Sequence, residues 1–173
     1  SSPVSSSYQL KTVFSDSFVG SGDQLTFVMD RYTRTTILDP WEYVETWSVR
    51  EDFVRTVVQE GNIPFVKIAY PPYVNKEWNG NAFNILGTDN YEIVDRTGFE
   101  VPAGTFNDCL HIIQEDNQDF SVFQDYRKEI YAEGVGLIYK ETINIEYCTV
   151  NCGSQEINTG FEFTQTLVEY GTE

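Results

Sequence analysis

The sequence predicts an all-β fold: a single curved antiparallel sheet forming a barrel or half-barrel. Three observations predict it. Aromatic residues make up 15% of the 173 positions, with 11 Tyr and 12 Phe against one Met, a bias toward sheet over helix bundle. Segments of strand character recur along the whole chain, separated by Gly, Pro, Asn and Asp turn signals. No amphipathic stretch is long enough to supply the crossover helices of a βαβ unit.

In chain order, residues 8–19 (YQLKTVFSDSFV) partly alternate and end at Gly20-Ser21-Gly22-Asp23, a strong turn. Residues 25–36 return, giving a long first hairpin. Asp39-Pro40 breaks the chain before a strand over 41–50, where Trp41, Tyr43, Glu45 and Trp47 should share one face if the strand is regular. Glu51-Asp52 and Gly61-Asn62 turn into strands over 53–59 and 63–69. Tyr70-Pro71-Pro72-Tyr73 ends that run because proline has no amide for a ladder. Residues 74–87 read as a long loop pinned by Trp78. Residues 90–96 and 99–101 resume strand character, with Gly98 as a bulge or bend.

Val101-Pro102-Ala103-Gly104-Thr105-Phe106 is the next turn, with strands over 106–114, 120–129, 135–147 and 161–170 beyond it. The polar run Glu115 to Asp119 reads as a connection. Gly134 and Gly136 would let the long strand after them coil sharply. Short connections throughout suit antiparallel neighbours. Residues 8–173 are expected to form one domain preceded by a flexible polar tether, residues 1–7.

Twenty-seven carboxylates against 11 Lys and Arg give a formal charge of −16. That field repels nucleic acid and anionic lipid, since phosphate binding depends on clustered cations. No apolar run reaches the ~18 residues a transmembrane helix needs. A Ser-rich tether of this kind is left behind when a signal peptide is removed, or links a domain to a lipidated cysteine ahead of it. Either origin would make the protein an exported one.

The three cysteines leave one over. Cys148 and Cys152 would lie about 13 Å apart in an extended strand. A disulfide, which needs less than about 7 Å, requires a tight turn there, for which Asn151 and Gly153 are suited. The expectation is a local Cys148–Cys152 staple, with free thiols the alternative, and Cys109 a buried free thiol.

His111 is the only histidine, so a zinc site or a Ser-His-Asp triad would have to be built around it. No metal motif and no Gly-x-Ser-x-Gly elbow accompanies it, and at alternate spacing with Cys109 and Ile113 it reads as a structural strand residue. Paired carboxylates are the stronger enzymatic reading, since glycosidases need only two. Glu42 and Glu45 sit in the most aromatic neighbourhood, with Trp41, Tyr43 and Trp47; these three and Trp78 are the candidate ligand-binding residues, and a core-facing strand side is the plainer alternative. Asp116-Asn117-Gln118-Asp119 lacks the framework of a calcium loop and reads as a solvated hairpin tip. No cofactor is expected.

The motif Val101-Pro102-Ala103-Gly104-Thr105-Phe106…Cys109-Leu110, together with the downstream Tyr131-Ala132-Glu133-Gly134-Val135-Gly136-Leu137-Ile138-Tyr139-Lys140-Glu141, resembles a set of uncharacterised exported proteins and lipoproteins of Gram-negative bacteria, especially Bacteroidetes. The resemblance covers about 40 residues and implies a periplasmic or outer-membrane-anchored β domain, loosely like the half-barrels of lipoprotein-carrier domains. It implies structural roles for Gly104, Phe106, Leu110, Gly134 and Gly136, and brings no catalytic residue. The functional expectation is a non-catalytic envelope or secreted binding protein whose ligand is an apolar small molecule or lipid. A carbohydrate-binding or carbohydrate-active protein and a structural envelope domain meeting other proteins are the alternatives.

Overall fold

A computed structural model describes residues 4–20, 22–150, 153 and 156–172. Among them are eleven strands: β1 (Gln9–Val19), β2 (Leu25–Arg34), β3 (Glu42–Glu51), β4 (Arg55–Glu60), β5 (Ile63–Ala69), β6 (Glu77–Asn79), β7 (Asn90–Val101), β8 (Gly104–Asp119), β9 (Phe123–Ala132), β10 (Gly136–Tyr147) and β11 (Ile157–Thr166). They form two open antiparallel sheets, a five-stranded meander β1-β2-β3-β4-β5 and a six-stranded one ordered β11-β10-β9-β8-β7-β6. The chain divides accordingly into two compact units. The first is residues 1–70 with Asn81–Gly87; the second is Pro71–Gly80 with residues 88–173.

In the first unit the turns arise from local chemistry. The Gly20 amide donates to the Gln24 carbonyl at 2.8 Å, and Asp23 takes a positive φ of 58° to close the β1–β2 hairpin. The Asp39 carboxylate accepts the Thr36 amide at 2.7 Å, holding the β2–β3 turn, and Asp52 accepts the amides of Val54 and Arg55 at 2.8 and 2.9 Å before β4. Asn84 donates to the Pro64 carbonyl at 2.9 Å and Arg55 lies 5.0 Å from the Phe83 ring centre, so residues 81–87 are tied to β4 and β5. Val57 and Val66, paired across those strands, are buried together with Ala69. Both faces of β1 and β2 carry exposed apolar side chains: Phe14 and Phe27 meet edge to face at 6.1 Å, and Phe18 is exposed as well.

The second unit holds the larger core. Cys109, Ile130, Ala132 and Ile138 are buried on one sheet face, with Phe99, Phe106, Val135, Tyr139 and Leu167 packed against them. Each isoleucine so buried contributes about 2 kcal/mol. The stretch after β11 seals this cluster: the Leu167 amide donates to Ile138 at 2.9 Å, and its carbonyl accepts from Ala103 at 3.2 Å. Gly104 ends the Pro102-Ala103 turn at φ 137°, while Gly134 (φ 73°) and Gly136 (φ 98°) make the turn from β9 into β10. Leu110 is half-buried, on the strand face opposite Cys109. Gly80 is required by close approach, because a Cβ there would come within 2.6 Å of three carbons of the Tyr91 ring, which also meets Trp78 edge to face at 6.0 Å.

Three expectations are corrected. The sheet is neither single nor closed: the prolines after β5 interrupt the meander, β6 pairs with β7 and not with β5, and β1, β5, β6 and β11 remain edges. The polar run 115–119 is strand, because β8 and β9 continue as a hairpin to Asp119–Phe123, and the turn falls at Phe120-Ser121-Val122, where the Val122 amide donates to Asp119 at 2.7 Å. Within the expected loop 74–87, Glu77–Asn79 form β6. No disulfide joins two described cysteines. Cys109 is free and buried as expected, and the expected Cys148–Cys152 bridge involves Cys152, which lies outside the described residues. A register shift does fall between Thr97 and Phe99, but its extra residue is on β8, where Asn107 and Asp108 stand opposite Gly98.

Candidate functional site

The aromatic strand β3 does not present its residues on one side. Arg31 of β2 pairs with Glu45, yet its neighbour Tyr32 pairs with Tyr43, so Val44 is an extra residue in a β-bulge. The bulge inverts the alternation: Tyr43 faces the same way as Tyr32, while Glu45 and Trp47 face the same way as Arg31. The contacts agree. Tyr32 and Tyr43 meet edge to face at 5.9 Å, and the Tyr43 and Thr46 hydroxyls lie 2.9 Å apart. On the opposite face Arg31 donates to Glu45 at 2.6 Å and stacks 3.6 Å from the Trp47 ring centre.

Trp41 joins the Tyr43 side. Arg34 lies over its ring at 4.2 Å and Lys11 at 5.6 Å; Lys11 also lies 5.2 Å from the Tyr32 ring, its register partner on β2. Arg34 donates through Nε to the Gln9 side chain at 2.6 Å and through Nη1 to the Ile37 carbonyl at 3.3 Å. One end of this face of β1–β3 is therefore a patch of Gln9, Lys11, Tyr32, Arg34, Trp41 and Tyr43. Tyr43 is 59% exposed and the others are half-buried or exposed. Beside it Tyr8, Arg34, Asp39 and Glu42 line an open depression.

The expected set of binding residues thus separates. Trp41 and Tyr43 come together, Trp47 is turned away with its buried Nε1 lacking a hydrogen-bond partner, and Trp78 belongs to β6 in the other unit. Glu42 and Glu45 lie on the face away from Tyr43, opposite Thr33 and Arg31. The cations Lys11 and Arg34 and the ring of Tyr32 were not singled out from sequence. The signal for them was cross-strand register, and counting it back from the hairpin turn at residues 20–24 would have paired Lys11 with Thr33: a bulge at Ser15 shifts the register so that Lys11 meets Tyr32.

His111 lies on β8 in the second unit, 7% exposed, edge to face with Phe99 at 5.7 Å. Its Nε2 is buried without a hydrogen-bond partner, and burial pushes its pKa below the usual histidine value. Glu129, 1% exposed, accepts the Tyr131 hydroxyl at 2.5 Å and pairs with Lys140 at 3.1 Å. Arg127 gathers Asp89 at 3.0 Å, Glu115 at 3.5 Å and Asp125 at 3.6 Å. Among the described residues no three His, Cys, Asp or Glu converge as metal ligands would, and no helix is long and apolar enough to cross a membrane. Two surface depressions are open, and most of the residues lining them are polar.

No protein-family model, no curated protein and no solved structure matches this chain.

Proposed function

We propose that this is a non-catalytic recognition module of a bacterial cell envelope, exported and binding its partner on the open face of β1–β3. The observation that carries the reading is the patch itself: three aromatic rings and two cations gathered from three strands on a surface that water reaches. Exposed rings of this kind are costly to leave in water and are the usual anchors of recognition surfaces. Binding on an open face, not inside the sheet, accords with the openness and polarity of the depressions. Envelope location is supported by the likeness of the 101–110 and 134–141 segments to exported proteins.

The test is retention of fractionated envelope material on immobilised protein. Wild type should retain a component that Tyr43→Ser fails to retain, while Phe120→Ser, an exposed change in the other unit, binds normally. Retention that survives Tyr43→Ser, or retention of nothing from any fraction, would contradict the reading.

A further inference from the structure

The side of β1–β3 that carries Trp47, the reverse of the Tyr43 patch, is apolar over its middle. Leu25, Phe27 and Met29 alternate along β2, and the register sets Val19 beside Leu25 and both Phe14 and Trp47 beside Met29. Val49 extends the row from Phe27. A bulge at Ser15 makes this possible. On a regular strand Phe14 and Val19 would face opposite ways; the extra residue brings them to one side and turns Phe18 to the other. Phe14 and Phe27 meet edge to face at 6.1 Å, as residues on one side should. Phe14 and Val19 are 62% and 66% exposed, Leu25 and Phe27 48% and 41%. The charged residues on this side of β1–β3 stand around the patch. Arg31 pairs with Glu45 at 2.6 Å, and Glu42 and Glu51 are the first and last residues of β3.

We propose that two copies of the chain meet here, sheet on sheet, as a two-fold dimer. The exposed side chains and their half-buried neighbours present on the order of 500 Å² of apolar surface, the upper end of what a monomer leaves in water. Two such faces together bury on the order of 1,000 Å², the lower limit of a specific interface. Shape selects the second copy as the occupant. Small apolar ligands need a concavity that encloses most of their surface, which outward-standing side chains on an open sheet do not provide. A second sheet of the same twist stacks on such a face about 10 Å away, its side chains interdigitating. Charge permits the approach. The first unit carries six Lys and Arg against nine Asp and Glu, net −3, and the second five against eighteen, net −13. The contact therefore lies in the less charged unit of a chain that otherwise repels its like. Two-fold symmetry sets the face against itself and turns the two Tyr43 faces outward, so the dimer presents the recognition surface twice. It forms whatever that surface binds.

Sedimentation equilibrium of the intact chain, from about 1 µM to about 1 mM, is the test. The expected result is a monomer–dimer equilibrium with a dissociation constant on the order of 10 µM, tightened by salt because both copies are strongly negative. Phe14→Glu and Val19→Glu should each weaken the dimer about tenfold or more, since each sets an unpaired charge in the contact. Phe18→Glu adds the same charge next to Val19 but on the Tyr43 side, and should leave the dimer intact. Each variant is checked for an unchanged unfolding midpoint, and Val19, at the end of β1, carries the test if Phe14→Glu does not fold. A monomer throughout the range would overturn the proposal, and an apolar dye bound by that monomer but not by Val19→Glu would assign the face to an apolar ligand. A dimer that survives both Phe14→Glu and Val19→Glu, whether or not Phe18→Glu dissolves it, would overturn it too.

Discussion

His111 shows how a single residue reports its surroundings. Its ring meets Phe99 edge to face and is buried, so the fold favours the neutral imidazole; Lys128 acts in the same direction, while the Thr97 backbone and Asp95 act against it. The folded-state pKa therefore lies below 6.5, the value of an unperturbed histidine. Stability linked to His111 is fully present above that value and is lost as pH falls toward the folded-state pKa, because the unfolded chain takes up the proton first. Denaturant midpoints should fall between about pH 7.5 and 5.5, a window in which ordinary carboxylates and lysines scarcely titrate. His111→Gln should flatten that fall. An equally steep fall in the variant would show that another group is responsible. The sequence placed His111 on a strand face with Cys109, which is where it lies; its contact with Phe99 was not readable, since it depends on the register between β7 and β8.

At the scale of elements, most strands were legible because turn chemistry marks their ends, as at Gly20–Gln24, Asp52 and Gly61. Parity within a strand was not legible. Trp41, Tyr43, Glu45 and Trp47 look like one face until an extra residue intervenes, and nothing in the sequence of β3 distinguishes Val44 as that residue. The bulge makes a sharp prediction. Deleting a residue from a strand ordinarily turns everything beyond it to the wrong face. Deleting Val44 should not, because Tyr43 and Glu45 already face opposite ways and would become regular neighbours opposite Tyr32 and Arg31. The deletion variant should fold within about 1 kcal/mol of wild type and keep its binding, whereas deletion of Val49, in the regular stretch paired on both sides, should cost several times more. A severe loss of stability on deleting Val44 would show that the bulge is needed for more than register. The polar run at 115–119 misled for a different reason: a hairpin end with both faces wet needs no hydrophobic alternation, so its pairing leaves little trace in the sequence.

Over the molecule, the alternation of short strands and turns was enough for an antiparallel all-β chain and insufficient for its closure. Local pattern specifies which consecutive strands pair, while a barrel depends on a distant pairing between first and last strands that has no local signature. Tyr70-Pro71-Pro72-Tyr73 was readable as a strand terminator, yet its consequence, two sheets in place of one, rests on β6 pairing forward with β7. The charge of −16 was readable in total; its concentration in the second unit appears only once strands are assigned to units.

Recognition on one face of β1–β3 is the central claim, and the three tryptophans are built-in reporters of it. Trp41 lies in the patch, Trp47 on the reverse face of the same sheet, and Trp78 in the other unit. Their indole N–H signals can be tracked by nitrogen-edited NMR while the envelope fraction retained by the protein is titrated in. The account predicts that the Trp41 signal moves in step with binding while those of Trp47 and Trp78 stay in place. Movement of the Trp47 or Trp78 signal with Trp41 unmoved would contradict it.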